Sequence, residues 1–216
     1  MEKTGSHKDI ALKIASDLLK IKAIQLNKNQ PFTWSSGWKS PIYCDNRMSL
    51  SFPETRTYIK KALAEACKKY FPDVQSIAGV ATAGIPQGAL VADEMDIPFI
   101  YVRSSPKGHG MENLIEGKVS PGQKVVVLED LVSTGGSSLK AVEALKGAGY
   151  EVLGMLAIFT YGFPLADKNF ENAGIQLHCL SNYSVMLEKA KELGYVNQED
   201  LASLEQWRKD PANWKG

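Results

Sequence analysis

The stretch Val125-Val126-Val127-Leu128-Glu129-Asp130-Leu131-Val132-Ser133-Thr134-Gly135-Gly136-Ser137-Ser138 constrains this chain more than any other. It opens on four apolar residues, three of them β-branched, the pattern of a strand buried on both faces. The chain is expected to turn at the adjacent carboxylates Glu129 and Asp130. Hydroxyls and the pair Gly135 and Gly136 then form a small-residue loop, and a helical pattern follows at Leu139, Val142 and Leu145. Strand, loop and helix N-terminus in that order make an anion site, because the loop N–H groups and the positive end of the helix dipole converge. Glycine lets the backbone approach a phosphate closely. The paired acids suit sugar hydroxyls or a hydrated metal ion. A hydroxyl-capped turn with no ligand is the plainer reading; the β-branched run, both acids and the capped helix falling in one register speak against it.

The stretch resembles the phosphoribosyl diphosphate (PRPP) signature of the type I phosphoribosyltransferases. The resemblance implies that Glu129 and Asp130 hold the ribose hydroxyls. Leu131, Val132, Ser133, Thr134, Gly135, Gly136 and Ser137 complete the PRPP-binding segment, with the loop on the 5′-phosphate. Competing phosphate motifs fail. Gly79 and Gly84 have the spacing of a Walker A loop, but Ile85 and Pro86 stand where it needs Lys and Ser or Thr, and no Gly-x-Gly-x-x-Gly opens a helix.

Composition narrows the partners. The 216 residues suffice for one α/β domain with a sizeable core. Formal net charge is +1, from 25 basic and 24 acidic residues, so neither nucleic acid nor a membrane surface is expected as a partner. Cys44, Cys67 and Cys179 are odd in number and widely spaced, without disulfide or metal-ligand spacing, which points to a reducing cytoplasm. No signal peptide and no apolar run of transmembrane length is present.

Periodicity predicts a helix over 8–24, a hairpin with strands near 32–34 and 41–45, and a helix from Pro53 to about Tyr70. A strand at 76–80, a loop at 81–86, a helix over 86–95 and a strand at 99–102 make a βαβ unit, so the sheet is mostly parallel. Residues 103–120 show no period and read as a long lid. Helix 135–148, strand 152–159, a short helix 165–173, strand 176–180 and helices 183–193 and 197–209 follow. The expected fold class is α/β, a mostly parallel twisted sheet flanked by helices. Residues 1–216 form one domain, of which 1–50 make an N-terminal helix and hood. Ligands in such sheets bind at the carboxyl ends of strands.

Three loops there are competent for anions. The 129–137 loop takes a phosphorylated sugar. Thr82, Ala83 and Gly84 offer backbone N–H groups to a second phosphate. Arg103, Lys107 and His109 bring cations. A sugar bearing phosphate at one end and diphosphate at the other fits this set. The reaction implied is glycosyl transfer, with diphosphate leaving C1 as the nitrogen of a base attacks. No protein nucleophile is needed; cations on the leaving group, exclusion of water and alignment of the base supply the catalysis. Magnesium fits as counter-ion of the diphosphate, held mainly by PRPP and water rather than by protein ligands. His178, between Leu177 and Cys179 in a strand pattern, reads as structural.

Across nearly its whole length the sequence resembles the orotate phosphoribosyltransferases. The carrying segments are Phe32 to Tyr43, Ala81 to Pro86, Arg103 to Gly110 and Val125 to Ser138. The hood pattern Ser36-Gly37-Trp38-Lys39-Ser40-Pro41-Ile42-Tyr43 and the lid run Lys107-Gly108-His109-Gly110 are the parts specific to that branch. The resemblance implies a homodimer in which the lid of one subunit closes over the other's site, with Arg103, Lys107 and His109 acting on diphosphate. It implies that Ser133 touches both phosphate and orotate, that Phe32 and Tyr43 border the orotate pocket, and that the 81–83 loop holds a cis peptide. Many members carry lysine at the places of Ser35, Ala83 and Ser104, and arginine near Thr160-Tyr161. Backbone N–H groups, Arg47 or Lys39 are the substitute partners expected for the orotate carboxylate. A phosphoribosyltransferase for a purine, or a PRPP-sensing regulator, is the alternative. The first should lack the hood pattern, and the second usually adds a nucleic-acid-binding element.

Overall fold

The computed structural model describes residues 6–27, 30–34, 37–105 and 114–214. The chain forms two compact units, one of residues 1–55 with 181–216, the other of residues 56–180.

The second unit carries a six-stranded sheet. Its strands are β5 (Ser76–Val80), β6 (Phe99–Val102), β7 (Ile115–Glu116), β8 (Lys124–Val132), β9 (Glu151–Thr160) and β10 (Leu177–Asn182), in the order β10-β9-β8-β5-β6-β7. β9, β8, β5 and β6 run parallel, and β7 pairs antiparallel with β6. Helix α2 (Pro53–Tyr70) leads into β5, and α3 (Gly84–Met95), α4 (Gly136–Gly147) and α5 (Pro164–Ala173) connect strands of the sheet. The fold is the α/β class expected, a mostly parallel sheet flanked by helices. Val125, Val126, Val127 and Leu128 are fully buried in β8, and each such side chain contributes about 1.5–3 kcal/mol of transfer free energy. His178 is structural, stacked on Tyr70 with ring centres 3.9 Å apart and met edge-on by Phe71.

The first unit holds α1 (His7–Lys20), β1 (Ile24–Leu26), β2 (Phe32–Thr33), β3 (Lys39–Ser40), β4 (Ile42–Cys44), a 3-10 helix (Asn46–Ser51), α6 (Tyr183–Glu192) and α7 (Gln198–Lys209). Ser6 and Asp9 form a capping box that starts α1. Trp207 of α7 is fully buried, donates from Nε1 to the Lys39 carbonyl at 3.1 Å, and meets the Trp34 ring edge-on.

Three expectations need correction. The first helix ends at Lys20, and Lys22 turns the chain at φ 59°; the residues after it form strand β1. The strand at 42–44 pairs with this β1 and not with 32–33, whose partner is the nearer segment Lys39–Ser40. And β8 runs through Glu129 and Asp130 as far as Val132, because Leu131 and Val132 stay in register with Phe159 and Thr160 of β9. The acids lie within the strand rather than at a turn.

Candidate active site

Adjacent parallel strands β8, β5 and β6 end at Val132, Val80 and Val102, so the three segments expected to bind anions leave one edge of one sheet. Glycines set how closely they meet. A Cβ on Gly84 would stand 2.5 Å from the Leu128 carbonyl oxygen of β8, and one on Gly79 would stand 2.8 Å from the Gly84 oxygen. Only hydrogen at both positions lets the start of α3 sit against β5 and β8. The Ala81–Thr82 peptide is cis, as the resemblance implied. Thr82 is exposed, Ala83 half-buried and Gly84 buried.

The loop after β8 differs from expectation in one instructive way. α4 is not capped by a hydroxyl: its N-cap is Gly135, at φ 81°, and no side chain bonds to the first turn. α3 starts at Ala83 and α5 at Phe163 likewise without a side-chain cap, α5 opening on Pro164, whereas α1, α6 and α7 are capped by Ser6, Asn182 and Asn197. The first-turn donors of the two helices that follow β5 and β8 are therefore not spent on side chains, which is what an anion site requires. A left-handed φ favours glycine at 135, and a Cβ there would also strike the Phe170 ring at 2.6 Å.

Around this loop, Ser133 and Thr134 are half-buried, and Gly136 and Ser137 are exposed. Val132 packs its side chain into the core, so it can offer a ligand only backbone. Glu129 is 6% exposed. Its carboxyl accepts from the Asp130 N–H at 3.0 Å and from the Ser138 hydroxyl at 3.3 Å. Burial pushes this carboxyl well above its ordinary range, and the neighbouring Asp130 charge pushes the same way. The two acids thus have different surroundings: Glu129 is enclosed, while Asp130 is half-buried.

Arg103 follows β6. Its N–H donates to the Leu114 carbonyl at 2.8 Å and its guanidinium lies 3.4 Å from Glu116 of β7, so the two ends of the intervening segment are tied together. Lys107 and His109 lie outside the described residues. In the other unit, the Phe32 and Tyr43 rings lie with centres 5.6 Å apart. Arg47 makes a two-pronged bond to Asp45 at 2.7 and 2.8 Å, and Lys39 donates to the Thr33 hydroxyl at 2.8 Å. Among the described residues no group of three or more His, Cys, Asp or Glu side chains could hold a metal ion.

Two groups that position the loop were not foreseen. Asn169 of α5 donates to the Thr134 carbonyl at 2.9 Å, and Phe170 lies against Gly135. Neither has a sequence signal beyond helical packing. Ser138 stood in the key stretch without a role; its position in the first turn of α4 supplies one.

A family model for the phosphoribosyl transferase domain matches residues 53–171. The orotate phosphoribosyltransferase of Cytophaga hutchinsonii is 59% identical over 202 residues, covering 94% of this chain and 97% of that one. The chain belongs to the orotate phosphoribosyltransferase family. Another family member, from Phocaeicola vulgatus, is 58% identical over 201 residues, 93% of this chain and 95% of its own. Among solved structures, the orotate phosphoribosyltransferase of Aeropyrum pernix aligns with TM-score 0.75 and 30% identity, over 85% of this chain and 99% of that one. Within the phosphoribosyltransferase fold, the stretch 125–138 that resembles the PRPP signature runs along β8, the loop after it and the first turn of α4.

Proposed function

We propose that this chain transfers ribose 5-phosphate from PRPP to orotate, giving orotidine 5′-monophosphate and diphosphate, a step of de novo pyrimidine biosynthesis. It is a glycosyltransferase of the pentosyl class. The observation that carries the reading is the 59% identity to an orotate phosphoribosyltransferase over 94% of the chain. The uncapped loop after β8 supports it independently.

In the proposed reaction the C1–oxygen bond of PRPP breaks and diphosphate departs with the electron pair. A ring nitrogen of orotate forms the new bond to C1 and gives up its proton to diphosphate or water. Positive charge develops on the sugar ring and negative charge on the leaving group, so fixed donors and cations do the catalytic work. The backbone donors of the 133–137 loop hold the 5′-phosphate, Asp130 and Glu129 engage the ribose, and Thr82, Ala83 and Gly84 receive the diphosphate. Arg103, Lys107 and His109 draw charge onto the diphosphate as it leaves. Ser133, Phe32 and Tyr43 contact orotate. Magnesium, held mainly by PRPP and water, would neutralise diphosphate oxygens. We further propose a homodimer whose lid acts across the interface, and a catalytic unit that uses all of residues 1–216. No described helix is long and apolar enough to cross a membrane. Cys44, Cys67 and Cys179, which form no disulfide among the described residues, favour the cytoplasm.

Steady-state turnover with PRPP and magnesium, offered orotate, uracil, adenine or hypoxanthine, tests the reading. Orotate is expected to react and the purines to be inert. A purine that turns over while orotate does not refutes the base assignment.

A further inference from the structure

Asn169 lies in α5, away from every segment that the sequence marks for substrate. Its Nδ2 donates a 2.9 Å hydrogen bond to the Thr134 carbonyl oxygen. A trans peptide is planar, so the carbonyl of Thr134 and the N–H of Gly135 point in opposite directions. Holding the carbonyl toward α5 therefore aims the Gly135 N–H away from α5. Without such a hold this peptide has little to fix its orientation, since it joins Thr134 to a pair of glycines. The next residue of α5, Phe170, lies where a Cβ on Gly135 would be struck at 2.6 Å. One turn of α5 thus grips the loop twice, by a bond to residue 134 and by a ring against residue 135.

We propose that Asn169 is a positioning residue for the transfer reaction: it locks the Thr134–Gly135 peptide in the orientation that presents its N–H to the 5′-phosphate of PRPP. The proposal rests on the reading of the 133–137 loop as the 5′-phosphate site. It assigns to α5 a part in sugar-phosphate affinity and none in diphosphate or orotate binding. The donor is the feature that matters. Leucine at 169 keeps the volume and loses the bond. Aspartate keeps the shape and turns an acceptor toward the Thr134 oxygen, which repels it.

The test is calorimetric titration of ribose 5-phosphate and, separately, of inorganic diphosphate into the unmodified protein, Asn169→Leu and Asn169→Asp. Asn169→Leu is expected to raise the Kd for ribose 5-phosphate about tenfold, and Asn169→Asp to raise it further. Diphosphate affinity and the KM for orotate should stay within about twofold in both. A variant whose fold is merely loosened weakens both ligands together; that outcome, or ribose 5-phosphate binding unchanged in both variants, overturns the proposal. Failure of the unmodified protein to bind ribose 5-phosphate or PRPP at all overturns the underlying phosphate-loop reading instead.

Discussion

The Ser138 hydroxyl donates to Oε2 of Glu129 at 3.3 Å, a bond that joins the first turn of α4 to strand β8 across the whole loop between them. The other carboxyl oxygen accepts the Asp130 N–H at 3.0 Å. Glu129 thereby closes the loop at its base while Asn169 and Phe170 hold its crest. Burial raises the Glu129 carboxyl well above its ordinary value of 4.5.

That shift has a definite sign in stability. The folded chain keeps a proton at Glu129 that the unfolded chain releases above the ordinary pKa, so stability declines as pH rises from there through the raised folded value. Glu129→Gln cannot ionise and escapes the loss. Thermal melts between about pH 5 and pH 8 should show the Tm of the variant gaining on the unmodified protein as pH rises. A Tm difference that is flat with pH contradicts the enclosure of this carboxyl.

Asp130→Asn should weaken PRPP binding at least tenfold or so, the scale of a lost charge-assisted hydrogen bond. Calorimetry with PRPP reads it directly. Affinity unchanged from the unmodified protein removes Asp130 from the ribose site.

Gly84→Ala places a Cβ 2.5 Å from the Leu128 carbonyl oxygen, against the backbone of β8. Overpacking of this kind costs about 1–3 kcal/mol. Chemical denaturation should show that loss, together with a raised KM for PRPP as α3 is pushed off β8. A fully stable variant would show that α3 sits less tightly than described.

Lys107→Ala should cut kcat about 100-fold or more with PRPP affinity nearly intact, because its charge acts on the departing diphosphate. If the lid works across a dimer, mixing this variant with Asp130→Asn should restore about a quarter of full activity, since half the dimers are mixed and each has one intact site. Activity that stays at the level of the separate variants places the lid on its own subunit's site.

Much of this was legible in the sequence, and the failures have physical causes. The β-branched run at 125–128 announced the central strand, and the Gly135-Gly136 pair announced the small-residue loop after it. β1 went unseen because the turn that follows α1 is made by Lys22 in the left-handed region, where a glycine would have been the usual signal. The reach of β8 past the acids depends on pairing with β9, a partner distant in sequence. Asn169 gives no local sign at all: a polar residue in an amphipathic helix reads as surface, and only the folded chain brings it 35 residues back to Thr134.

The most direct measurement is a crystal structure of the chain with PRPP and magnesium. The 5′-phosphate oxygens should lie about 3 Å from the backbone nitrogens of residues 133–137, with the ribose hydroxyls on Asp130. PRPP bound elsewhere, with that loop empty, would contradict the assignment.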